Sequence, residues 1–207
     1  MASGTPFILH TENLTPKSFK VELLNITYVG RDGKEHPWTT ASRKPRGASG
    51  VDAVLIPNII RQPNKPPSMA LVIQYRPPTE ADCIEWPTGL IKAGETPQDA
   101  ALREFKEEVG YDGGRVVHTT PTAVADPGMS TANLQFATVE VDVKEGDQPP
   151  VQNLQDNEDI VVKYVALDDL YDELVKYAEN GLAIDARVLT FAMGWNKHKE
   201  YSSAGLC

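Results

Sequence analysis

Between Gly89 and Tyr111 the chain reads GLIKAGETPQDAALREFKEEVGY, and this stretch specifies a helix, both of its ends and a cluster of acids on its surface. Thr96 is a good N-cap, and Pro97 then falls at the first helical position, where a missing N–H costs nothing. Asp99 places an acid in the first turn, and Gly110 suits a left-handed stop. The spacing predicts a helix from Pro97 to Val109. Leu102, Phe105 and Val109 fall near one stripe, which is expected to face a core. Glu104, Glu107 and Glu108 stand at i, i+3 and i+4, so their carboxylates converge on one surface, and Arg103 lies four residues before Glu107, within pairing reach. Such crowded carboxylates repel one another. A hard cation such as Mg²⁺ relieves the repulsion, because it takes oxygen ligands and bridges carboxylates to substrate phosphates. The plain alternative is a solvated acidic face with ordinary Glu–Arg pairs.

The same residues fit the pattern G-x5-E-x7-R-E-U-x-E-E-x-G-U, with U apolar, at Gly89, Glu95, Arg103, Glu104, Phe105, Glu107, Glu108, Gly110 and Tyr111. The stretch resembles the signature of the Nudix hydrolases. Phe105 and Tyr111 are aromatic where that family more often has an aliphatic residue. The likeness extends through Arg76-Pro77-Pro78, Cys83 to Leu90, Ala125-Asp126-Pro127-Gly128, Asn157-Glu158-Asp159-Ile160 and Ile184-Asp185-Ala186-Arg187. These segments are similar to the ADP-sugar pyrophosphatase branch, which includes the ADP-ribose pyrophosphatases.

The resemblance implies an α/β Nudix fold, a mixed β-sheet sandwiched between helices, with a small N-terminal antiparallel β segment. It implies Mg²⁺, with Mn²⁺ able to substitute, held by the Thr88 carbonyl and the carboxylates of Glu104 and Glu108. Glu107 would complete the metal shell or orient a water, and Glu158 would act as general base. Arg76 and Arg43 would contact phosphates, where a planar fork suits phosphate oxygens. Trp38 would stack on adenine, with Phe19 the nearest candidate for the other side of the base. Asp126 and the Leu90 backbone would contact the linker or terminal ribose. The implied reaction is hydrolysis of ADP-ribose to AMP and ribose 5-phosphate. A different nucleoside diphosphate derivative, such as an oxidised nucleotide or a dinucleoside polyphosphate, is the alternative substrate. A sensor that binds ADP-ribose without cleaving it is the alternative function, and an intact signature argues against it.

Each site residue also has an ordinary reading. Trp38 could be a core residue of a small sheet. Arg76 could be an exposed strand end, Glu158 part of a solvated acidic loop with Asp156 and Asp159, and Asp126-Pro127-Gly128 a common turn. Cys83 reads as a small buried hydrophobe. The four histidines show no metal-ligand spacing.

The 207 residues allow one sizeable domain with an appendage. The net charge of −9 argues against non-specific nucleic-acid binding. Two cysteines, Cys83 and Cys207, make neither a disulfide framework nor a zinc site and suit a reducing compartment. The N-terminal stretch lacks a basic start followed by a long apolar run, and nothing approaches the roughly 20 apolar residues of a membrane span. A cytoplasmic protein is the expectation, with the basic run Ser42 to Arg46 offering a nuclear address or a substrate loop.

Along the chain, Val21 to Val29 reads as a strand, Gly30 to Gly33 as a hairpin turn, and a second strand approaches Trp38. Residues 1–49 are too few to hold a core alone and are assigned to dimerisation and base contacts. Residues 50–207 are assigned to the hydrolase domain. Within it strands are expected at Val51 to Ile60, Met69 to Tyr75, Arg115 to Thr122, Leu134 to Val143 and Ile160 to Leu167. Asp168 is expected to cap a helix to Glu179, and Asp185 a last helix to Met193. A homodimer acting on a small nucleoside diphosphate sugar, with neither nucleic acid nor membrane as partner, completes the reading.

Overall fold

A computed structural model describes residues 7–13, 21–43, 49–156 and 158–205. Phe19, Lys44 to Arg46, Asn157 and Cys207 lie outside the described residues. Three strands, β1 (Phe7–Asn13), β2 (Val21–Val29) and β3 (Glu35–Arg43), form a small antiparallel sheet in the order β1-β2-β3. The expected hairpin joins β2 to β3, and Gly33 takes the left-handed conformation its turn requires, with φ of 73°. β1 has no counterpart in the sequence reading.

The rest of the chain builds one mixed sheet between helices. Its strands are β4 (Ala53–Leu55), β5 (Asn58–Arg61), β6 (Ser68–Arg76), β7 (Ala81–Glu85), β8 (Thr88–Leu90), β9 (Arg115–Thr119), β10 (Ala123–Val124), β11 (Asn133–Asp142), β12 (Val161–Ala166) and β13 (Ala183–Ile184). The path runs β13-β7-β6-β5-β11-β4-β8, with β12 on β6 and both β9 and β10 on β11. β11 is parallel to β4 and β5 and antiparallel to β9 and β10. Helices α1 (Pro97–Val109), α2 (Leu170–Glu179) and α3 (Ala186–Ser203) cover the two faces. Alternate side chains of a strand point to opposite faces, so the sheet feeds two cores. Ala101, Phe105 and Val109 of α1 pack with Val54, Ile60, Ala70, Ala137 and Val139. Leu170 and Leu174 of α2 and Val188 and Ala192 of α3 pack with Leu55, Met69, Leu71, Ile84 and Leu134. Burial of Phe105 contributes about 1.5–3 kcal/mol.

Several expectations need correction. The α1 stripe runs through Ala101, Phe105 and Val109, whereas Leu102 is 38% exposed. Val51 to Ile60 is two strands, because Pro57 has no N–H for a ladder and the chain changes neighbours there. Fully buried Asn58 holds the break: its amide donates to the carbonyls of Ile56 and Ala70 and accepts the Ala70 N–H at 2.7 Å. The helix after β12 is preceded by a 3₁₀ turn at Leu167–Asp169, so its N-cap is Asp169, which makes no side-chain cap bond. α3 runs past Met193 and Gly194 to Ser203. Tertiary contacts outweigh the glycine's cost of about 1 kcal/mol: Lys199 reaches the Asp168 carbonyl and the Trp195 indole donates to the Asp168 carboxylate. The expected cap of α3 is present, with the Asp185 carboxylate accepting the Arg187 N–H. Among the described residues no helix is long and apolar enough to cross a membrane.

Candidate active site

The ends of α1 are set by local chemistry. The Thr96 hydroxyl accepts the Asp99 N–H at 3.1 Å, and the Asp99 carboxylate accepts the Thr96 N–H at 3.2 Å, closing a capping box. Gly110 ends the helix with φ of 91°. The helix is thereby phased so that Phe105 enters the core while Glu104 and Glu108, four residues apart, turn together towards β8. Both are only 7% exposed.

The strand opposite is shaped to receive them. The Thr88 N–H donates to the Glu108 carboxylate at 3.1 Å. A Cβ on Gly89 would lie 2.0 Å from both Cγ and Cδ of Glu104, so only glycine lets that carboxylate approach the strand. Gly89→Ala should therefore displace Glu104. A misplacement of about an ångström at a reacting site costs about 10²-fold in turnover. Steady-state kinetics on Gly89→Ala checks this, and wild-type turnover would mean that Glu104 does not act from this position.

Arg103 is the hub of the acidic face. Its guanidinium donates to Glu95 at 2.6 and 2.9 Å, to Glu104 at 2.5 Å, to Glu107 at 3.4 Å and to the Leu90 carbonyl at 3.1 Å. Helical spacing alone predicts only the Glu107 pair, because the bonds to Glu95 and to the Leu90 carbonyl depend on how the loop from Leu90 to Glu95 folds back. The Arg103 bond holds the Glu95 carboxyl down at about 2. Glu104 is raised nonetheless, since burial outweighs its bond to Arg103. Glu108 rises to about 8: burial dominates, the Thr88 N–H opposes it, and the charges of Glu104 and Glu158 add to it.

Among the described residues no three His, Cys, Asp or Glu side chains form a group that could hold an ion by themselves. The implied set needs only two side chains, its third donor being the Thr88 carbonyl. Two buried carboxylates whose ionised forms are destabilised, beside a strand with main-chain oxygens, fit a hard oxygen-seeking cation.

The other expected residues fall in two groups. Glu158 is half-buried, and its charge acts on Glu108. Arg76, at the end of β6, also acts on Glu108 and is gripped by Glu85, at 2.9 Å through Nε and 2.5 Å through Nη2. Glu85 falls within a segment of resemblance, yet its grip on Arg76 has no signal in the sequence. Next to it on β7, Cys83 is buried, and its thiol is pushed up to about 12 by burial first and the Glu85 charge second, which leaves it inert.

The second group sits where the small sheet meets the turn after β10. The Trp38 indole N–H donates to the Gly128 carbonyl at 3.2 Å. Ala41 and the turn exchange two backbone bonds, from Ala41 N–H to Met129 and from Thr131 N–H to Ala41, each 2.9 Å. Asp126 opens that turn, its carbonyl accepting from Met129 and Ser130. Trp38 is 46% exposed, so it is not a core residue of its sheet. Arg43 is exposed at the end of β3, and Leu90 is 50% exposed.

The NUDIX domain model matches residues 51–185. The chain is 43% identical over 183 residues to the ADP-ribose pyrophosphatase of Saccharomyces cerevisiae, covering 87% of this chain and 79% of that protein. It is 31% identical over 188 residues to the ADP-sugar pyrophosphatase of Mus musculus, covering 90% and 86%. The crystal structure of an ADP compounds hydrolase matches with a TM-score of 0.67 at 20% identity, covering 100% of both chains, a likeness of fold.

Proposed function

The chain belongs to the Nudix hydrolase family, and from that premise we propose that it hydrolyses the pyrophosphate linkage of ADP-sugars with Mg²⁺, ADP-ribose being the first choice and AMP and ribose 5-phosphate the products. The observation that carries this reading is the pair of buried carboxylates, Glu104 and Glu108, set against the Thr88–Gly89 strand. The names of the yeast and mouse relatives support the substrate class.

Glu104, Glu108 and the Thr88 carbonyl would hold the ion, with Glu107 at the edge of its shell. When bound, Mg²⁺ supplies charge neutralisation and Lewis acidity at the phosphates. Arg76 would bind a phosphate oxygen while Glu85 fixes its plane. Glu158 would take the proton of the attacking water as the new P–O bond forms and the bridging P–O bond breaks, the electron pair leaving on the departing phosphate. Positioning and electrostatics carry the rate, since little covalent chemistry is asked of the protein. The test is a panel of nucleoside diphosphate derivatives incubated with Mg²⁺ and resolved by chromatography. Rapid cleavage of an oxidised nucleotide or a dinucleoside polyphosphate in preference to ADP-ribose would overturn the substrate, and ADP-ribose binding without cleavage would overturn the enzyme. A cytoplasmic setting belongs to the same proposal.

The active unit in this reading is a two-fold homodimer. Leu9, Val21 and Leu23 leave large apolar side chains half-exposed on the small sheet, which suits a second copy. Trp38 and Arg43 would serve the partner's site, the 126–131 turn accompanying Trp38 through its bond to Gly128. Trp38→Ala chains mixed with Glu104→Gln chains provide the check. A mixed dimer carries both lesions in one site and leaves the other intact. With random exchange half of the dimers are mixed, so about a quarter of wild-type activity should return. No recovery after confirmed exchange places Trp38 in its own chain's site or outside any site.

A further inference from the structure

The loop between β11 and β12, which carries Glu158, is fastened to the end of the signature helix. An α-helix leaves its last carbonyls without helical partners. Two of those of α1 are taken by this loop. The Asn153 N–H donates to the Glu107 carbonyl at 2.8 Å, and the Gln152 side-chain amide donates to the Glu108 carbonyl at 2.7 Å. The same Gln152 nitrogen donates to the Ile160 carbonyl at 3.1 Å, using both of its hydrogens. Gly110 makes the approach possible, since a Cβ there would lie 2.5 Å from the Val151 nitrogen.

Gln152 thus joins the residue that presents the Glu108 side chain to a buried residue just beyond Glu158. Between these anchors the chain turns tightly. The Glu158 N–H donates to the Gln155 carbonyl at 2.9 Å, and the Gln155 N–H donates to the Glu158 carboxylate at 2.9 Å. The turn fixes Glu158 relative to its own loop, and Gln152 fixes the loop relative to α1. Gln152 is itself exposed and belongs to neither core, so its shortening removes these two bonds and leaves the core residues in place.

We infer that Gln152 is a positioning residue for hydrolysis: its amide ties the C-terminal turn of α1 to the loop bearing Glu158 and so sets that carboxylate against the Glu104–Glu108 site. This rests on the reading of Glu158 as the proton acceptor.

The experiment is a double-mutant cycle in the full-length chain, with ADP-ribose and saturating Mg²⁺. Gln152→Ala should lower kcat by about 10- to 100-fold, as displacement of a reacting group does, with KM changed by less than about twofold. In the Glu158→Gln background the same substitution should cost less than about twofold, because the group it positions no longer acts. Gln152→Met, similar in size but without donors, should behave as Gln152→Ala does. Hydrogen exchange should quicken at the amides of Gln155 and Glu158 while the middle of α1 stays protected. An equal loss in both backgrounds overturns the inference, since Gln152 would then act through the helix or the fold. So does unchanged kcat in Gln152→Ala when Glu158→Gln is slow, an outcome that leaves the base assignment standing. If Glu158→Gln is itself as fast as wild type, the base assignment falls and this inference falls with it. Failure of both Gln152 variants to fold makes the residue a structural pin and also overturns it.

Discussion

Glu108→Gln is expected to lower turnover by about 10³-fold or more, because several kcal/mol of charge stabilisation at the phosphates depends on it and each 1.36 kcal/mol is tenfold. Glu104→Gln should do the same. Neither change should harm the fold. Glu104 is one of several acids on Arg103, and Glu95 at 2.6 Å and Glu107 at 3.4 Å remain when it is neutralised. Glu108 is the more telling case. Its carboxyl stands at about 8 in the fold against an ordinary 4.5, chiefly through burial. A raised pKa means that the folded chain holds this proton more tightly than the unfolded chain does. The stabilisation from the protonated form is complete below about pH 4.5 and is lost as pH rises through about 8. Metal-free wild type should therefore weaken between about pH 5 and 8 relative to Glu108→Gln, which has no such proton to lose, by a gap on the order of a few kcal/mol. Denaturant titrations in a chelator across that range measure it. Near wild-type turnover in either variant at saturating Mg²⁺ would sink the metal assignment. Parallel stability curves would show that Glu108 is not held in its acid form by the fold.

These two residues were legible because their placement is local. Thr96, Pro97, Asp99 and Gly110 fix where α1 starts and stops, and the helical period then puts Glu104 and Glu108 on one face. The face that enters the core was less legible. Leu102 and Ala101 differ by one position, about 100° of helix, and the sheet rather than the larger side chain decides: α1 lies close over β8 and β4, and small alanines allow that approach. The division of Val51 to Ile60 had a local signal in Pro57 that the apolar run obscured. The length of α3 had none, since it depends on contacts from Trp195 and Lys199 to Asp168, distant in sequence. The same separation hid Glu85, Gln152 and most of the bonds of Arg103. Each acts across a strand pair or a loop that only the folded chain brings together. The substrate-base region was legible as a tryptophan and an arginine near a hairpin, while the bond from Trp38 to Gly128 spans 90 residues and has no sequence signature.

Glu158→Gln is expected to lower kcat by about 10²–10⁴-fold with little change in substrate affinity, the span for loss of a general base. The residue sits among Asp156 and Asp159, and all three could be a solvated acidic run. The structure separates them: Glu158 is half-buried with its carboxylate accepting the Gln155 N–H at 2.9 Å, whereas Asp156 and Asp159 are exposed. The charge of Glu158 also acts on Glu108. A carboxylate held near the buried pair, yet less buried than either, is placed to accept the proton of a water beside them. Asp156→Asn and Asp159→Asn should therefore leave kcat within about twofold, as surface changes away from special features do. The three variants assayed side by side decide the matter. A loss in Glu158→Gln no greater than in the two aspartate variants would return the loop to the solvent. The proton acceptor would then have to be sought among the signature glutamates, Glu107 first, since it is the least buried of the three and its bond to Arg103, at 3.4 Å, is longer than that of Glu104.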